Sequence, residues 1–458
     1  MLKRKIRNMQ LTVWACDLMV ILLSVQIAVL LTGDRVVLIS HGFKSIAVAY
    51  CFFMTVLFYI TDLYSPRYFR KSYETVSVVL LDAAVSAALV TLTFYFVPYW
   101  HIGRGFFLVI FLSAPVLVMA ERFLCSRLYE YRSQTLTVGL VGADPTLDDL
   151  RRVADEHRLK VVNLPLVTDR LSPIAGQKNP VPSSNHVSEF RNSLTKLSPD
   201  IIVLNPSESL DHIAIKELVE ARFSGVPILD FPTIFQMLTG KLPLEQIPVQ
   251  WFLSGEGFRF FESNIAVRIK RLFDFVLACT LTLAFAPLFL LVPLAIKLSS
   301  KGPILDREER VGLSDRIFQL FKFRIRLGEA ESRGLGSVET DSSLYLFGKF
   351  LRWTRLDGIP QLINVLKGDM SFVGPRPLSP ALVEQCRNAS PYHNLRNSVR
   401  PGIMGWAQAN STAISSVEDE IENLKYDLYY IQHLTLLFDI KIVMKILRGA
   451  LSRGKWSK

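Results

Sequence analysis

The amino-acid sequence predicts a membrane protein in three parts. These are an N-terminal domain of four transmembrane helices, a parallel α/β middle domain of Rossmann-like type, and an α-rich C-terminal domain with a re-entrant membrane helix. Two observations predict this class. Half of the residues are hydrophobic, the mean hydropathy is +0.30, and the apolar residues stand in long blocks. Between these blocks, short strands alternate with helices. The predicted domain boundaries are residues 1–133, 134–262 and 263–458.

Four apolar blocks fill the first quarter of the chain, and most approach the roughly 20 residues that a helix needs to cross a bilayer. They cover residues 11–31, 45–64, 76–99 and 105–120. Basic residues precede the first block and follow the second and the fourth. The positive-inside rule therefore predicts that the N-terminus and everything after Arg122 face the cytoplasm. Asp17 and Asp82 lie inside predicted spans near a cytoplasmic end, where helix pairing or snorkelling is favoured over a functional role.

The middle of the chain alternates strand and helix, a pattern that predicts a small parallel α/β domain. The strands are expected at residues 137–141, 160–164, 201–204 and 226–229. The turn after the first strand contains Gly139 and Gly142 without the full dinucleotide-binding fingerprint. A tight strand-to-helix turn in a regulatory or structural domain is therefore favoured over a dinucleotide site.

A fifth apolar block covers residues 269–298 and is interrupted by Pro287 and Pro293. Basic residues stand at both ends: Arg268, Lys270, Arg271, Lys297 and Lys301. A simple crossing would move one basic cluster out of the cytoplasm, and proline bends a helix sharply. These features predict a helix that enters the membrane, breaks near Pro287 and returns to the same face. An ordinary kinked span is the alternative.

The charge balance indicates which partners to expect. The net charge is +11 and the pI is about 9.4, which suits anionic partners. Because the chain has several membrane blocks, the lipid bilayer and phosphorylated substrates are expected, and nucleic acid is not. The five cysteines are scattered without a CxxC or Cys/His spacing, so neither disulfides nor a structural zinc site is predicted. The oligomeric state stays open, a homo-oligomer included.

The last third of the chain carries residues suited to a diphosphate. Pro360 suits the first turn of a helix that ends at Gly368, so Asp357 is expected just before the helix N-terminus, which favours phosphate or a carboxylate nucleophile. Arg352 and Arg355 are three residues apart, which places them on one face of a preceding helix. Further basic residues stand near turns and helix ends: Lys322, Arg324, Arg376 and Arg400.

Longer motifs occur in a fixed order between Lys270 and Lys445. They include Lys270-Arg-Leu-Phe-Asp274, Arg310-Val-Gly312, Lys322-Phe-Arg324, Arg355-Leu-Asp357, Pro360-Gln-Leu-Ile-Asn-Val-Leu-Lys-Gly-Asp-Met-Ser-Phe-Val-Gly-Pro-Arg-Pro377 and Arg400-Pro-Gly-Ile-Met-Gly-Trp-Ala-Gln408. This string resembles the bacterial sugar transferase family, the polyprenyl-phosphate hexose- or glycosyl-1-phosphate transferases. The four predicted spans and the α/β domain are similar to the larger members of that family.

The resemblance implies transfer of a sugar-1-phosphate from a UDP-sugar to undecaprenyl phosphate at the bacterial inner membrane. Such a reaction initiates a lipid-linked glycan of the exopolysaccharide or O-antigen type. It implies that Asp357 is the nucleophile of an aspartyl phospho-sugar intermediate and that Mg²⁺ bridges the diphosphate. The implied metal ligands are Asp357 and, as weaker candidates, Asp341 and Asp369. The implied substrate-binding residues are Lys322, Arg324, Arg352, Arg355, Gln361, Arg376 and Arg400.

The chain departs from the family pattern at its centre. Gly358 stands where the family has a glutamate that is implied to help hold magnesium, and Glu308 stands where the family has a glutamine. Three interpretations follow. The enzyme works with magnesium held by Asp357, waters and substrate, or with a substitute carboxylate such as Asp341 or Asp369; or it is a diverged transferase with altered substrate handling; or it is an inactive relative that acts as a membrane scaffold or regulator of polysaccharide assembly.

Overall fold

The computed structural model of the chain divides into two compact units, Met1–Leu253 and Ser254–Lys458. The structure describes residues 2–32, 41–61, 63–64, 72–96, 104–132, 137–141, 150–154, 159–164, 192, 194, 196–204, 212–247, 264–299, 303–324, 351, 354–411 and 416–452. Arg352, Asp341 and the predicted turn at Gly142 lie outside these residues.

The first unit begins with four helices that pack against one another around an apolar core. They are α1 (Leu2–Thr32), α2 (His41–Ile60), α3 (Ser72–Phe96) and α4 (Arg104–Arg132). The two acids predicted inside spans join helices to their neighbours. The carboxylate of Asp17 on α1 accepts a hydrogen bond of 2.5 Å from Arg122 on α4, and Asp82 on α3 accepts one of 2.8 Å from Thr61. Pairing rather than snorkelling therefore accounts for both acids.

Among the residues whose side chains are described, the helical segment Thr75–Thr93 is long and apolar enough to cross a membrane on its own. Thr12–Ala28 and Val48–Ile60 are shorter apolar segments. A bent pair in the second unit, Ile265–Ala284 with Ala286–Leu298, meets the same test when its two helices are taken together. A fold with four N-terminal crossings stays a prediction.

The first unit also contains a four-stranded parallel sheet. Its strands are β1 (Thr137–Val141), β2 (Lys160–Leu164), β3 (Ile201–Leu204) and β4 (Ile228–Asp230), in the order β2-β1-β3-β4. The helices α5 (His212–Phe223) and α6 (Phe231–Thr239) follow β3 and β4. The parallel sheet is confirmed, and its described strands follow the flavodoxin-like doubly wound order. The fourth strand begins after Pro227, which has no N–H to donate to the ladder.

The second unit is helix-rich and contains two short strand pairs, β5–β6 antiparallel and β7–β8 parallel. Its elements are α7 (Asn264–Ala284), α8 (Ala286–Ser299), β5 (Leu305–Val311), β6 (Ile317–Phe323), α9 (Gln361–Lys367), β7 (Ser371–Val373), α10 (Pro380–Ala389), β8 (Gly402–Met404), α11 (Trp406–Asn410), α12 (Val417–Gln432) and α13 (Leu436–Ser452). Helices α7 and α8 are the bent pair, and they meet at an angle of 60°.

Polar residues in the first half of α7 attach that helix to the rest of the second unit. Lys270 Nζ lies 2.5 Å from a carboxylate oxygen of Asp439 on α13. Arg271 donates hydrogen bonds of 2.6 and 3.0 Å to the carbonyls of Val365 and Leu366 in the last turn of α9. Buried Asp274 accepts a hydrogen bond of 2.7 Å from the hydroxyl of Ser371 on β7. These contacts explain the motif Lys270–Asp274, because its polar members bind three different elements.

The chain that follows the bent pair also packs against α9. The buried amide of Asn364 on α9 donates to the Gln319 carbonyl at 2.7 Å and accepts from the Phe321 N–H at 3.1 Å, which joins α9 to β6. Helix α9 therefore binds α7 before the bend and the β5–β6 hairpin after it. The part of α7 beyond Asp274 is about 15 Å long, half of the ~30 Å of a bilayer core. A bent pair of this kind is either a broken span or a re-entrant segment, so the re-entrant helix stays a prediction.

Candidate active site at the turn before helix α9

Asp357 lies in a 3₁₀ turn, Leu356–Gly358, that packs against β6, and its side chain is half-buried. Arg355 precedes the turn with φ 58° and ψ 17°, a left-handed conformation that costs a non-glycine residue about 1 kcal/mol. The expected helical face shared by Arg352 and Arg355 is therefore wrong for Arg355, which ends the preceding segment in a turn. Arg355 and Asp357 therefore belong to the same turn.

Helix α9 begins after Pro360 and ends at Gly368, as predicted, and Gly368 adopts φ 95°. Gln361 opens the helix and contacts the position of the missing family glutamate. A Cβ atom built on Gly358 would lie 3.3 Å from Gln361 Nε2, with no other side chain within 4 Å and without a positive φ. A side chain at position 358 therefore fits if Gln361 moves by a few tenths of an ångström.

The β5–β6 hairpin supplies two cations and one carboxylate beside the turn. Lys322 Nζ lies 2.8 Å from one carboxylate oxygen of Glu308, and Arg310 also donates hydrogen bonds to that carboxylate. Burial alone would raise the pKa of Glu308, but the hydrogen bonds from Lys322 and Arg310 lower it below its usual value. Arg324 continues the hairpin, since its N–H donates to the Ile304 carbonyl at 3.0 Å.

The loop between β7 and α10 carries Arg376 toward the same cations. The Arg376 side chain reaches solvent, but protein atoms pack around part of it and remove some of its water. This partial burial and the positive charges of Arg355 and Arg310 lower the pKa of Arg376, although an arginine keeps its proton at any physiological pH. Lys322, Arg310, Arg355 and Arg376 thus form a cluster of cations from three chain segments, hereafter the cation cluster.

Close backbone packing fixes the Arg376 loop from one side. The Gly374 N–H donates to the Met404 carbonyl, and the Gly402 N–H donates to the Pro375 carbonyl, each at 2.9 Å. A Cβ atom on Gly402 would lie 2.1 Å from the Gly374 nitrogen, so only glycine fits at this crossing. Gly374, in a Gly-Pro pair, and Gly402, in a Pro-Gly pair, therefore set the position of Arg376.

A buried network of charged side chains also binds the Arg376 loop. Arg396 is 2 % exposed and donates a hydrogen bond of 3.0 Å to the Arg376 carbonyl. Its guanidinium also pairs with Glu420, and with Asp427 at 2.8 Å, on α12. Burial, which outweighs the attraction of Arg396 and is reinforced by Glu420, raises the pKa of Asp427 to about 7. The network connects α12 to the Arg376 loop.

Two predicted site residues lie at the opposite end of α9 from Asp357. Arg400 Nε donates to the Gly368 carbonyl at 3.0 Å, where it satisfies the C-terminal end of the helix. Burial and the charge of neighbouring Arg271 lower the pKa of Arg400. Asp369 follows Gly368 directly. The seven-residue helix α9 is about 10 Å long, so both residues lie at its end away from Asp357.

A magnesium ion can be accommodated with Asp357 as its protein ligand. Among the described residues, no group of three or more His, Cys, Asp or Glu side chains is arranged to hold a metal. Magnesium commonly takes one or two carboxylates and obtains its other ligands from water and substrate phosphates, so Asp357 together with a bound diphosphate would fit this ion. Asp369 follows the opposite end of α9, and Asp341 lies outside the described residues.

Several contributing residues were not among the predicted site residues. Arg310 and Glu308 stand two apart on a strand opposite Lys322, so strand alternation would have indicated them. Arg396 stands in a polar stretch, a pattern that predicts solvent exposure, and no local pattern shows that its side chain is buried. Its role follows from contacts with residues distant in sequence.

Comparison with known proteins matches the segment of the chain that contains this candidate site. The profile of the bacterial sugar transferase family matches residues 265–453, which include every described residue of the cation cluster and Asp357. The chain is 38 % identical over 186 residues to a UDP-glucose:undecaprenyl-phosphate glucose-1-phosphate transferase of Caulobacter vibrioides, across 40 % of this chain and 70 % of that relative. The chain belongs to the bacterial sugar transferase family.

Two further relatives of this family are longer than the matched segment. The chain is 34 % identical over 236 residues to a UDP-N-acetylgalactosamine-undecaprenyl-phosphate N-acetylgalactosaminephosphotransferase of Aeromonas hydrophila, across 51 % of this chain and 55 % of the relative. It is 38 % identical over 198 residues to a UDP-glucose:undecaprenyl-phosphate glucose-1-phosphate transferase of Escherichia coli K12, across 42 % of this chain and 43 % of the relative. The chain thus matches about half the length of these two relatives.

Proposed function

We propose that this bacterial sugar transferase transfers a sugar-1-phosphate from a UDP-sugar to undecaprenyl phosphate, the first step in building a lipid-linked glycan. The observation that carries the proposal is the cation cluster around the turn of Asp357, inside the segment matched by the family. Guanidinium and ammonium groups from three segments suit the oxygens of a diphosphate. The activities for which the similar proteins are named support the same reaction.

In the proposed reaction, a carboxylate oxygen of Asp357 attacks the phosphorus that carries the sugar. The bond from that phosphorus to the bridging oxygen breaks, and uridine monophosphate leaves with the electron pair. A phosphate oxygen of the lipid then attacks the same phosphorus and releases the Asp357 carboxylate. Lys322, Arg310, Arg355 and Arg376 offset the negative charge that builds up on the phosphate oxygens. A magnesium ion held at Asp357 would add a further positive charge to the diphosphate.

The bent pair α7–α8 is proposed to dip into the cytoplasmic leaflet of the bacterial inner membrane. Apolar side chains on both helices are exposed and suit lipid: Leu272, Val276, Leu283, Leu290, Leu291, Leu294 and Leu298. Polar contacts before the bend and the hairpin after it keep both ends at the same face. This placement brings the site to the membrane surface, where a lipid phosphate can reach Asp357.

The re-entrant placement predicts the same accessibility at both ends of the bent pair. We expect cysteines introduced at Asn264 and at Ser299, in a chain whose native cysteines are replaced, to react with a membrane-impermeant maleimide in inside-out vesicles and not in right-side-out vesicles. An ordinary span would instead give opposite labelling patterns for the two positions, and that result would exclude the re-entrant segment.

The space beside Gly358 makes a second prediction. We expect Gly358→Glu to lower the magnesium concentration for half-maximal activity by about tenfold, or ~1.4 kcal/mol, because it adds a hard oxygen ligand next to Asp357. Gly358→Gln is the control, since it has the same size without the charge. Equal magnesium dependence of the two variants would show that position 358 does not reach the metal.

The test of the proposed function is uridine monophosphate release by the purified full chain in nanodiscs. The mixture holds undecaprenyl phosphate, magnesium and a panel of UDP-sugars supplied one at a time. Lipid-dependent release is expected with at least one donor, and that donor identifies the sugar. Absence of release with every donor, from folded protein, would favour the scaffold or regulator, with Gly358 as the chemical reason.

A further inference from the structure

The carboxylate of Glu308 occupies hydrogen-bond donors of two members of the cation cluster. Lys322 Nζ lies 2.8 and 3.0 Å from its two oxygens. Arg310 Nε donates to one of these oxygens at 3.1 Å, and Arg310 Nη2 donates to the same oxygen. The side chains are 29 %, 23 % and 23 % exposed for Glu308, Lys322 and Arg310, so this triad opens to solvent.

The hairpin register explains the triad. Side chains alternate between the faces of a strand, so Glu308 and Arg310 on β5 share one face with Lys322, which stands on β6 diagonally opposite Glu308. Glu309, the next residue on β5, lies on the other face, where its carboxylate is exposed and accepts a hydrogen bond of 3.3 Å from Gln319. Glu308 therefore contacts the cations, whereas its neighbour Glu309 does not.

The contacts made by Glu308 are those that a phosphate oxygen would make. A carboxylate and a phosphate both accept charge-assisted hydrogen bonds from an ammonium and from the Nε and Nη2 of one guanidinium. Arg376 lies close enough to both Arg310 and Arg355 for their positive charges to act on it. A phosphate drawn into the cluster would therefore meet Lys322 and Arg310 already engaged.

We propose that Glu308 is a resident anion at the phosphate site: it holds Lys322 and Arg310 in place until a substrate phosphate displaces it. The inference rests on the proposed function and assigns a specificity-determining role to Glu308. An incoming group must be charged enough to compete with a carboxylate for both cations. The group is either the diphosphate of the nucleotide sugar or the monophosphate of the lipid, since both present the same oxyanion chemistry.

The experiment measures binding to the full chain in nanodiscs by calorimetry, without magnesium. The probes are inorganic pyrophosphate and a short-chain prenyl monophosphate. We expect Glu308→Gln to tighten binding of at least one probe by about tenfold, or ~1.4 kcal/mol, because the probe no longer competes with a carboxylate. Pyrophosphate tightening assigns the site to the donor, and prenyl phosphate tightening assigns it to the acceptor. Glu309→Gln is the matched control and is expected to leave both affinities unchanged.

A second variant separates displacement from general loss of negative charge. Lys322→Met, introduced into Glu308→Gln, is expected to cancel most of the gain in affinity, because the probe then lacks one of the two cations that Glu308 releases. The proposal is overturned if Glu308→Gln binds both probes as weakly as the unsubstituted chain or more weakly, if Glu309→Gln gains as much, or if no variant binds either probe. The weakening outcome would assign Glu308 to positioning the cations or to holding magnesium.

The activity assay distinguishes failure of this inference from failure of the proposed function. Uridine monophosphate release by the unsubstituted chain, without a gain of affinity in Glu308→Gln, would leave the transferase standing and remove the resident anion. A gain of affinity in a chain that releases no nucleotide would leave the anion site standing and remove the transferase.

Discussion

Replacing Asp357 by asparagine is expected to reduce lipid-dependent release of uridine monophosphate by at least about 1,000-fold, as loss of a nucleophile does in other two-step enzymes. Asparagine has nearly the same shape, and Asp357 is half-buried in a turn at the edge of the unit, so the fold is expected to persist. The measurement is release with the active UDP-sugar, together with thermal unfolding of the same samples.

Glu309→Gln is the control for this experiment. Glu309 is an exposed acid on β5, on the face away from Lys322, and its loss removes one negative charge from the same hairpin. We expect this variant to keep the activity of the unsubstituted chain. An Asp357→Asn variant that remained folded and kept more than about a tenth of the activity would exclude a nucleophilic role for Asp357.

The second large effect concerns stability and is expected at Arg396. We expect Arg396→Met to lower the free energy of unfolding by about 3–5 kcal/mol, because Glu420 and Asp427 would remain buried without their cation. The variant that still folds is also expected to show a raised KM for the UDP-sugar, since the Arg376 carbonyl loses the hydrogen bond from Arg396. Thermal unfolding in nanodiscs and steady-state kinetics measure the two effects.

Arg387→Met provides the matched control for Arg396. Arg387 pairs with Asp315 at 2.8 Å, but both side chains are at least a third exposed, and surface pairs contribute about 0–1 kcal/mol. The two variants make the same chemical change in a buried network and in an exposed pair. Comparable stabilities of Arg396→Met and Arg387→Met would contradict the assignment of the buried network as a support for the Arg376 loop.

The sequence predicts local elements of this chain well, because turn residues and periodicity are local signals. Three of the four strands of the parallel sheet lie where the apolar runs placed them, and α9 runs between Pro360 and Gly368 as expected. The bend between α7 and α8 lies next to Pro287, where the sequence predicted a break. These features depend on neighbours in the chain, so a single sequence contains the information.

Contacts between distant segments were harder to predict. The site residues taken from basic side chains near turns included Arg400, which instead satisfies a carbonyl at the far end of α9. A basic residue beside a turn serves either purpose, and the choice depends on which helix end packs against it. Arg396 was missed for the converse reason, because nothing near it in sequence indicates that α12 supplies two buried carboxylates.

The central claim is that Asp357 accepts the phospho-sugar, and a single-turnover experiment without lipid tests it most directly. The purified chain is mixed with the active UDP-sugar and magnesium in the absence of undecaprenyl phosphate, and both the released nucleotide and the mass of the peptide containing Asp357 are measured. A burst approaching one uridine monophosphate per chain, with the mass of one phospho-sugar added to that peptide, is the predicted result. Nucleotide release that begins only when lipid is added, with an unmodified peptide, would contradict the account and indicate direct transfer to the lipid.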